Sequence, residues 1–282
     1  MNKICLITGA TSGIGRAAAI ELAKHGNELI LVARNKSAGF ELVNRITKKY
    51  GSNASFFDCD LSSLNSVKRL AEKIKKNFSR IDVLINNAGA RFDKYLKSED
   101  DIELTFATNH LGHFLLTYYL MDLLKNSVSA RIINVSSSAH NVKDMPIDQL
   151  VNPKEYFRSA VYGRSKLANV LFTLELSNRL SNTKITVNTL DPGGVATRFA
   201  KNNGLLPWIK HIGYYLTKGS LLSAKKGAET IIYLAENSDV EGISGKFFYE
   251  KKEKPASDLA YNTELQKQLW QLSEKLCGIN FK

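Results

Sequence analysis

Lys3-Ile4-Cys5-Leu6-Ile7-Thr8-Gly9-Ala10-Thr11-Ser12-Gly13-Ile14-Gly15-Arg16 is the stretch that decides the fold. Its apolar run reads as a buried strand, and the glycines then open a helix expected from about Ile14 to His25. Glycine permits a tight turn and lets backbone N–H groups approach a ligand, and a helix N-terminus favours a pyrophosphate. Gly9, Thr11, Ser12, Gly13, Ile14 and Gly15 are therefore candidate contacts for a dinucleotide. The spacing is Gly-x-x-x-Gly-x-Gly, not the usual Gly-x-Gly-x-x-Gly. A glycine turn with no ligand would read the same over these residues, so the rest of the chain must decide between them.

A second apolar strand, Glu28-Leu29-Ile30-Leu31-Val32-Ala33, ends at Arg34-Asn35-Lys36. In a dinucleotide-binding unit a carboxylate about 20 residues after the glycines holds the adenosine ribose 2′-hydroxyl, whereas a nearby arginine accommodates a 2′-phosphate. Here no carboxylate is present and Arg34 takes the place, beside Asn35 and Lys36. A guanidinium is a planar donor fork suited to phosphate, which favours NADP(H) over NAD(H). A solvated basic strand end is the competing reading.

Strand and helix patterns then alternate along the chain. Strands are expected near 3–8, 28–33, 54–58, 82–86, 130–136, 184–190 and 245–249. Helices are expected near 13–25, 36–49, 64–77, 100–125, 161–180 and 219–236. The pattern predicts an α/β, single-domain, doubly wound Rossmann fold over 1–282. Its parallel sheet has about seven strands, with helices on both faces. Ligands on that architecture bind at the carboxyl ends of the strands.

Two stretches break the alternation. Residues 138 to 161 put 24 positions between Ser137 and Tyr162. Residues 199–222 carry Trp208, Tyr214, Tyr215 and several aliphatics among Gly204, Pro207, Gly213 and Gly219. The aromatic and aliphatic load of the second stretch suits an apolar substrate, an amphipathic patch resting on a membrane, or an oligomer contact.

Near the middle stands Tyr162-Gly163-Arg164-Ser165-Lys166, preceded by Ser136-Ser137-Ser138 and followed by Asp191-Pro192-Gly193. Tyrosine and lysine four residues apart share a helix face. A phenol titrates near ~10, so proton transfer at neutral pH requires a neighbouring positive charge. Alone, such a pair also arises by chance on surface helices.

Thr8-Gly9-x-x-x-Gly13-Ile14-Gly15, Asp60-Leu61, Asn86-Asn87-Ala88-Gly89, Asn109, Ser137, Tyr162-x-x-x-Lys166 and Pro192-Gly193 occur in the order seen in short-chain dehydrogenases/reductases. Over nearly the whole chain the sequence resembles that family. Within it, Thr108-Asn109-His110-Leu111-Gly112-His113-Phe114, the run from Tyr162 to Phe172 and Leu269-Trp270-x-Leu272-Ser273 resemble the retinol dehydrogenase branch, as does the long gap before Tyr162.

The resemblance implies hydride transfer between a nicotinamide and an apolar alcohol, aldehyde or ketone, and a substrate lid at about 199–222. Tyr162 would be the general acid or base. Lys166 would lower the tyrosine pKa and bond the nicotinamide ribose. Ser137, with Ser138 as runner-up, would stabilise the developing oxyanion. Asn109 would hold a water leading from Lys166 to solvent. Asp60, beside Leu61, would accept from the adenine amino group. Asn87, Ala88 and Gly89 would approach the adenosine ribose, and Pro192, Gly193, Val195 and Thr197 would hold the nicotinamide amide.

The remaining composition narrows the setting. The 282 residues carry a formal charge of +12, but the basic residues are scattered and no nucleic-acid motif accompanies them. Solvated surface charge that steers an anionic cofactor accounts for them. Cys5, Cys59 and Cys277 are widely separated and lack zinc-like spacing, which suits a reducing compartment. No apolar span has the length a bilayer crossing needs, and the first strand begins almost at Met1. A cytosolic location is expected, unlike the many anchored relatives, with peripheral membrane contact left open. Relatives are often dimers or tetramers built on the helices near 100–125 and 161–180, so a homodimer is also open. His110 and His113 are three apart, yet the helix lacks carboxylate partners, so packing or local hydrogen bonding rather than metal binding is expected. Two other functions compete: reduction of a conjugated double bond, and non-catalytic sensing of NADP(H).

Overall fold

The computed structural model describes residues 2–195 and 222–281. Among these, eight strands form one sheet in the order β3-β2-β1-β4-β5-β6-β7-β8. They are β1 (Ile4–Thr8), β2 (Glu28–Ala33), β3 (Ala54–Asp58), β4 (Val83–Asn86), β5 (Arg131–Val135), β6 (Thr186–Asp191), β7 (Lys246–Tyr249) and β8 (Lys252–Lys254). Every neighbouring pair is parallel except β7 with β8. The central strands are buried on both faces, as parallel strands under helices must be: β1, β4 and β5 are buried at every position.

The sheet has one strand more than the seven expected from sequence. Glu250 and Lys251 adopt positive φ of 50° and 63°, turning the chain back into a hairpin, and β8 is Lys-Glu-Lys, exposed throughout. A fully polar edge strand leaves no hydropathy signal and also guards the edge against further pairing.

The helices are α1 (Gly13–Lys24), α2 (Lys36–Tyr50), α3 (Leu64–Asn77), α4 (Leu104–Phe106), α5 (Gly112–Tyr119), α6 (Met121–Lys125), α7 (Arg158–Arg179), α8 (Ala224–Glu236) and α9 (Thr263–Cys277). The expected helix over 100–125 is in fact α4, α5 and α6 in series. Buried Glu103 starts it by accepting from the N–H groups of Thr105 (2.9 Å) and Phe106 (2.7 Å). A π-turn over Ala107–Leu111 interrupts it. The sequence reading did not place α9, although Asn262 caps it, Gly278 ends it at φ 62°, and Leu265, Leu269 and Trp270 bury one face.

Two apolar layers hold the helices to the sheet. One contains Leu22, Leu42, Ile231 and Leu234 against Ile7, Leu31 and Ile133. The other contains Leu70, Phe114, Phe172 and Trp270 against Leu6, Leu84 and Val187. Strand order reverses between β1 and β4, and a crevice opens there at the carboxyl ends of the strands, where doubly wound folds receive ligands.

Candidate active site

A cavity of about 660 Å³ occupies that crevice, and most of the residues singled out by sequence line it. Its floor is the turn between β1 and α1. Gly9 (φ 69°) and Gly13 (φ 54°) hold left-handed backbone that only glycine adopts easily. A side chain on Gly15 would stand 2.5 Å from the Gly9 carbonyl, so the turn closes this tightly only without one. Ser12 is the N-cap of α1 but makes no side-chain capping bond, so the first-turn N–H groups face the cavity unshielded.

Thr8 fixes the far wall. Its Oγ1 accepts from the N–H groups of Asn87 (2.9 Å) and Ala88 (3.0 Å), while Asn87 Nδ2 donates to Thr8 O (2.8 Å). The hydroxyl proton has a determinable destination. His113 Nδ1 lies 3.0 Å from the Asn109 carbonyl, which can only accept, so Nδ1 carries the ring proton. Burial pulls His113 down to about 4, so the ring is neutral and Nε2 is an acceptor. Thr8 therefore donates to Nε2 across 2.9 Å in preference to the Ile85 carbonyl, which lies 3.4 Å away. The bond to the Asn109 carbonyl is of the local kind expected for this histidine, whereas the long-range bond to Thr8 had no signal in the sequence. His110 is equally enclosed, against Ser273 Oγ at 2.9 Å. No cluster of metal-ligating groups occurs among the described residues.

At one end, Asp60 and Leu61 border the cavity with Asn87, Ala88 and Gly89. Asp60 is partly committed, accepting from Ser62 N–H (3.0 Å) and Ser62 Oγ–H (2.7 Å). Arg34 and Asn35 border it from the end of β2. Arg34 is exposed and forms no ion pair among the described residues. Asn35 caps α2 by accepting from Ala38 N–H (3.0 Å), and Lys36 pairs with Asp58 at 3.2 Å rather than facing the cavity.

Catalytic candidates gather opposite. Tyr162 and Lys166 lie one turn apart on α7 and both line the cavity, with Lys166 Nζ 5.8 Å from the Tyr162 ring centre. Lys166 is 3% exposed and donates to the Val135 carbonyl at 3.1 Å. Burial draws its ammonium down to about 8, and the carboxylate of Asp191 opposes that fall. Ser136, Ser137 and Ser138 all border the cavity, and Ser136 Oγ donates to the Lys166 carbonyl at 2.8 Å. Ser137 Oγ caps the following turn by accepting from Ala139 N–H (3.2 Å).

The Asn109 side chain does not border the cavity. It is wholly buried: Nδ2 donates to the Ala90 carbonyl (2.9 Å) and to Ser165 Oγ (2.9 Å), and Oδ1 accepts from Ala90 N–H (2.7 Å). Ser165 Oγ donates to the Tyr162 carbonyl (2.7 Å). Asn109 thus ties the π-turn to the helix turn that bears the tyrosine. On the last wall are Pro192, Gly193 (φ 80°) and Val195. Thr197 lies outside the described residues, as does the 199–222 segment except Leu222. The sequence reading also left out Ala90, Arg91, Thr108 and Ser159, which border the cavity.

The residues present fit a nicotinamide dinucleotide. Glycines keep the floor free of side chains, an open helix N-terminus and Arg34 can receive phosphates, and a phenol and an ammonium stand together at the other end.

Comparison with known proteins agrees. The family model described as short chain dehydrogenase matches residues 3–205. Retinol dehydrogenase 14 of Homo sapiens is 38% identical over 292 residues, covering 99% of this chain and 87% of that protein. Polyprenol dehydrogenase of Homo sapiens is 36% identical over 295 residues, covering 99% and 86%. The crystal structure of an uncharacterized protein from Mycobacterium Paratuberculosis superposes with a TM-score of 0.79 at 29% identity, covering 99% of this chain and 95% of that one.

Proposed function

The chain belongs to the short chain dehydrogenase family, and on that premise we propose that it is an NADP(H)-dependent oxidoreductase acting on an apolar alcohol, aldehyde or ketone. The observation that carries the reading is one cavity with Gly9–Gly15 and Arg34 at one end and Ser137, Tyr162 and Lys166 at the other. Bound there, the cofactor supplies or takes up the hydride. The chain's own residues handle the charge and the proton. Tyr162 gives its phenolic proton to the substrate oxygen in reduction and recovers it in oxidation. The Lys166 ammonium stabilises the phenolate left behind. Ser137 donates a hydrogen bond to the oxygen as charge gathers on it. Asn109 acts through Ser165, holding the turn that carries Tyr162.

NADP(H) is preferred because the guanidinium of Arg34 ends β2 where a carboxylate would otherwise meet the ribose. An apolar substrate is supported by the relatives' names, since retinol and polyprenols are both long apolar alcohols. No helix among the described residues is long and apolar enough to cross a membrane. We place the protein in the cytoplasm, a reducing compartment that suits its free cysteines Cys5, Cys59 and Cys277.

The test is NADPH oxidation, followed at the nicotinamide absorbance band, with retinal, aliphatic aldehydes, steroid ketones and enones. Tyr162→Phe should bind NADPH as the wild type does and lose turnover by at least about a hundredfold, the usual worth of a positioned proton donor. A wild type inert toward the whole panel would sink the enzyme reading, and consumption of enones alone would replace carbonyl reduction by double-bond reduction.

A further inference from the structure

Asp191 ends β6 and takes no part in the proton transfer assigned to Tyr162. Side chains alternate along a strand, so Val187, Thr189 and Asp191 share one face of β6 while Asn188 and Leu190 share the other. Val187 packs in the core layer that contains Phe172 of α7, and Leu190 packs with Ile231 of α8. The carboxylate therefore emerges on the face that α7 covers, the face carrying Lys166. It is 6% exposed.

Other buried carboxylates have structural employment. Glu103 caps α4, and Glu175 pairs with Arg179 at 2.8 Å. Asp191 forms no ion pair within 4 Å among the described residues. Its Oδ1 accepts from Gly193 N–H at 3.0 Å; burial pushes the carboxyl above its ordinary range, and the amides of Gly193 and Ser138 oppose that rise. Those two amides belong to different cavity walls, the loop after β6 and the loop after β5.

We propose that Asp191 is a positioning residue for this site: its carboxylate joins the Ser137–Ser138 loop to the Pro192–Gly193 loop and serves as counter-ion to the Lys166 ammonium. The inference rests on the oxidoreductase reading of the cavity. Its physical content is that Lys166 is enclosed in a place hostile to charge, and Asp191 is the charge that opposes this cost.

The groups facing Asp191 from each side leave Lys166 as its cationic partner. From α7 comes Lys166 itself. From the turn after β5 comes His140, whose Nδ1 lies 2.7 Å from the Ser137 carbonyl and so donates to it. His140 Nε2 accepts from Ser257 N–H at 3.0 Å, so the ring meets both partners as a neutral imidazole. From β7 comes Tyr249, its register partner, whose phenol is pushed up by burial, then by Glu250 and Asp191, and keeps its proton.

The experiment separates charge from clamp. Asp191→Asn keeps an oxygen for Gly193 N–H and removes the charge, whereas Asp191→Ala removes both. In Asp191→Asn, NADPH affinity should stay within about twofold. The alkaline limb of kcat/KM for carbonyl reduction should move about one pH unit lower, a tenfold loss above the limb, because the ammonium gives up its proton earlier. Asp191→Ala should show the same displaced limb together with weakened NADPH binding. Profiles of Asp191→Asn and wild type that superimpose would overturn the proposal while leaving the oxidoreductase reading intact, and an inert wild type would remove the reading itself. Should Asp191→Asn fail to fold, carboxyl ¹³C NMR of aspartate-labelled wild type and Lys166→Met reads the same coupling. Loss of the ammonium must displace one aspartate titration upward, and unchanged titrations would refute the pairing.

Discussion

Thr8→Val offers the sharpest test of the polar framework beneath the cavity. The substitution keeps the shape of a side chain that is fully buried and removes its hydroxyl. Four groups lose a contact: His113 Nε2, the N–H groups of Asn87 and Ala88, and, at 3.4 Å, the Ile85 carbonyl, which keeps its bond from Asn87 N–H. Their costs differ. His113 is completely enclosed, so its acceptor is stranded for about 1–3 kcal/mol. Asn87 and Ala88 border the cavity, where water can take over part of each bond, so together they add about 1 kcal/mol. The sum is about 2–4 kcal/mol, against about 1 kcal/mol for Thr8→Ser, which keeps the hydroxyl and loses only a methyl. Urea unfolding should therefore rank wild type, Thr8→Ser and Thr8→Val in that order. At roughly 2–4 °C per kcal/mol, the valine variant should melt several degrees below the serine one. NADPH affinity should follow the same order, because the Asn87–Ala88 wall loses its anchor. A valine variant within about 0.5 kcal/mol of the serine variant would refute both the assigned proton direction and the idea that Thr8 sets that wall.

Two other outcomes rest on named groups. NADPH should bind at least tenfold more tightly than NADH, about 1.4 kcal/mol, and Arg34→Asp should invert the preference; titrations giving one affinity for both cofactors would remove the argument from the end of β2. Lys166 falls from its ordinary 10.5 to about 8 in the folded chain, so between those pH values the unfolded chain still holds a proton that the folded chain has released. Stability tied to this group therefore rises with pH across that window. Wild type should gain about 3 kcal/mol relative to Lys166→Met between about pH 8 and 10.5, and a difference that stays flat with pH would show that the ammonium is not buried.

The parts of the molecule legible in the sequence are those whose cause is local. β1, the turn at Gly9–Gly15 and α1 are written in one uninterrupted stretch, and the Tyr162–Lys166 pair comes from helix period alone. Doubly wound topology then carries both to the same edge of the sheet, so the cavity could be anticipated without coordinates. Features that depend on another part of the chain were not legible. β8 exists because β7 offers it a partner, not because Lys-Glu-Lys prefers to be extended. Lys36, adjacent to Arg34 in kind and nearly in sequence, pairs with Asp58 across the β2–β3 edge. Helix α9 did carry local signals, a cap, a stop and an apolar stripe; what it lacked was a place in the strand–helix alternation that organised the reading.

The contacts of Asn109 show what spacing alone cannot give. Gly112 N–H donates to the Ala107 carbonyl, an i to i+5 bond that marks a widened turn. Within that turn the Asn109 side chain reaches Ala90 and Ser165 while its carbonyl takes the His113 proton. A continuous path of hydrogen bonds results, from Thr8 through His113 and Asn109 to Ser165 and the backbone of Tyr162. It joins the strand that leads into the Gly9–Gly15 turn to the helix turn that presents the phenol. Each member is buried or half-buried, so breaking one bond leaves a polar group that water reaches poorly, and the path holds as a unit. Sequence spacing can name the two ends of such a path. Its middle depends on one tautomer and one widened turn, which appear only once the chain has folded.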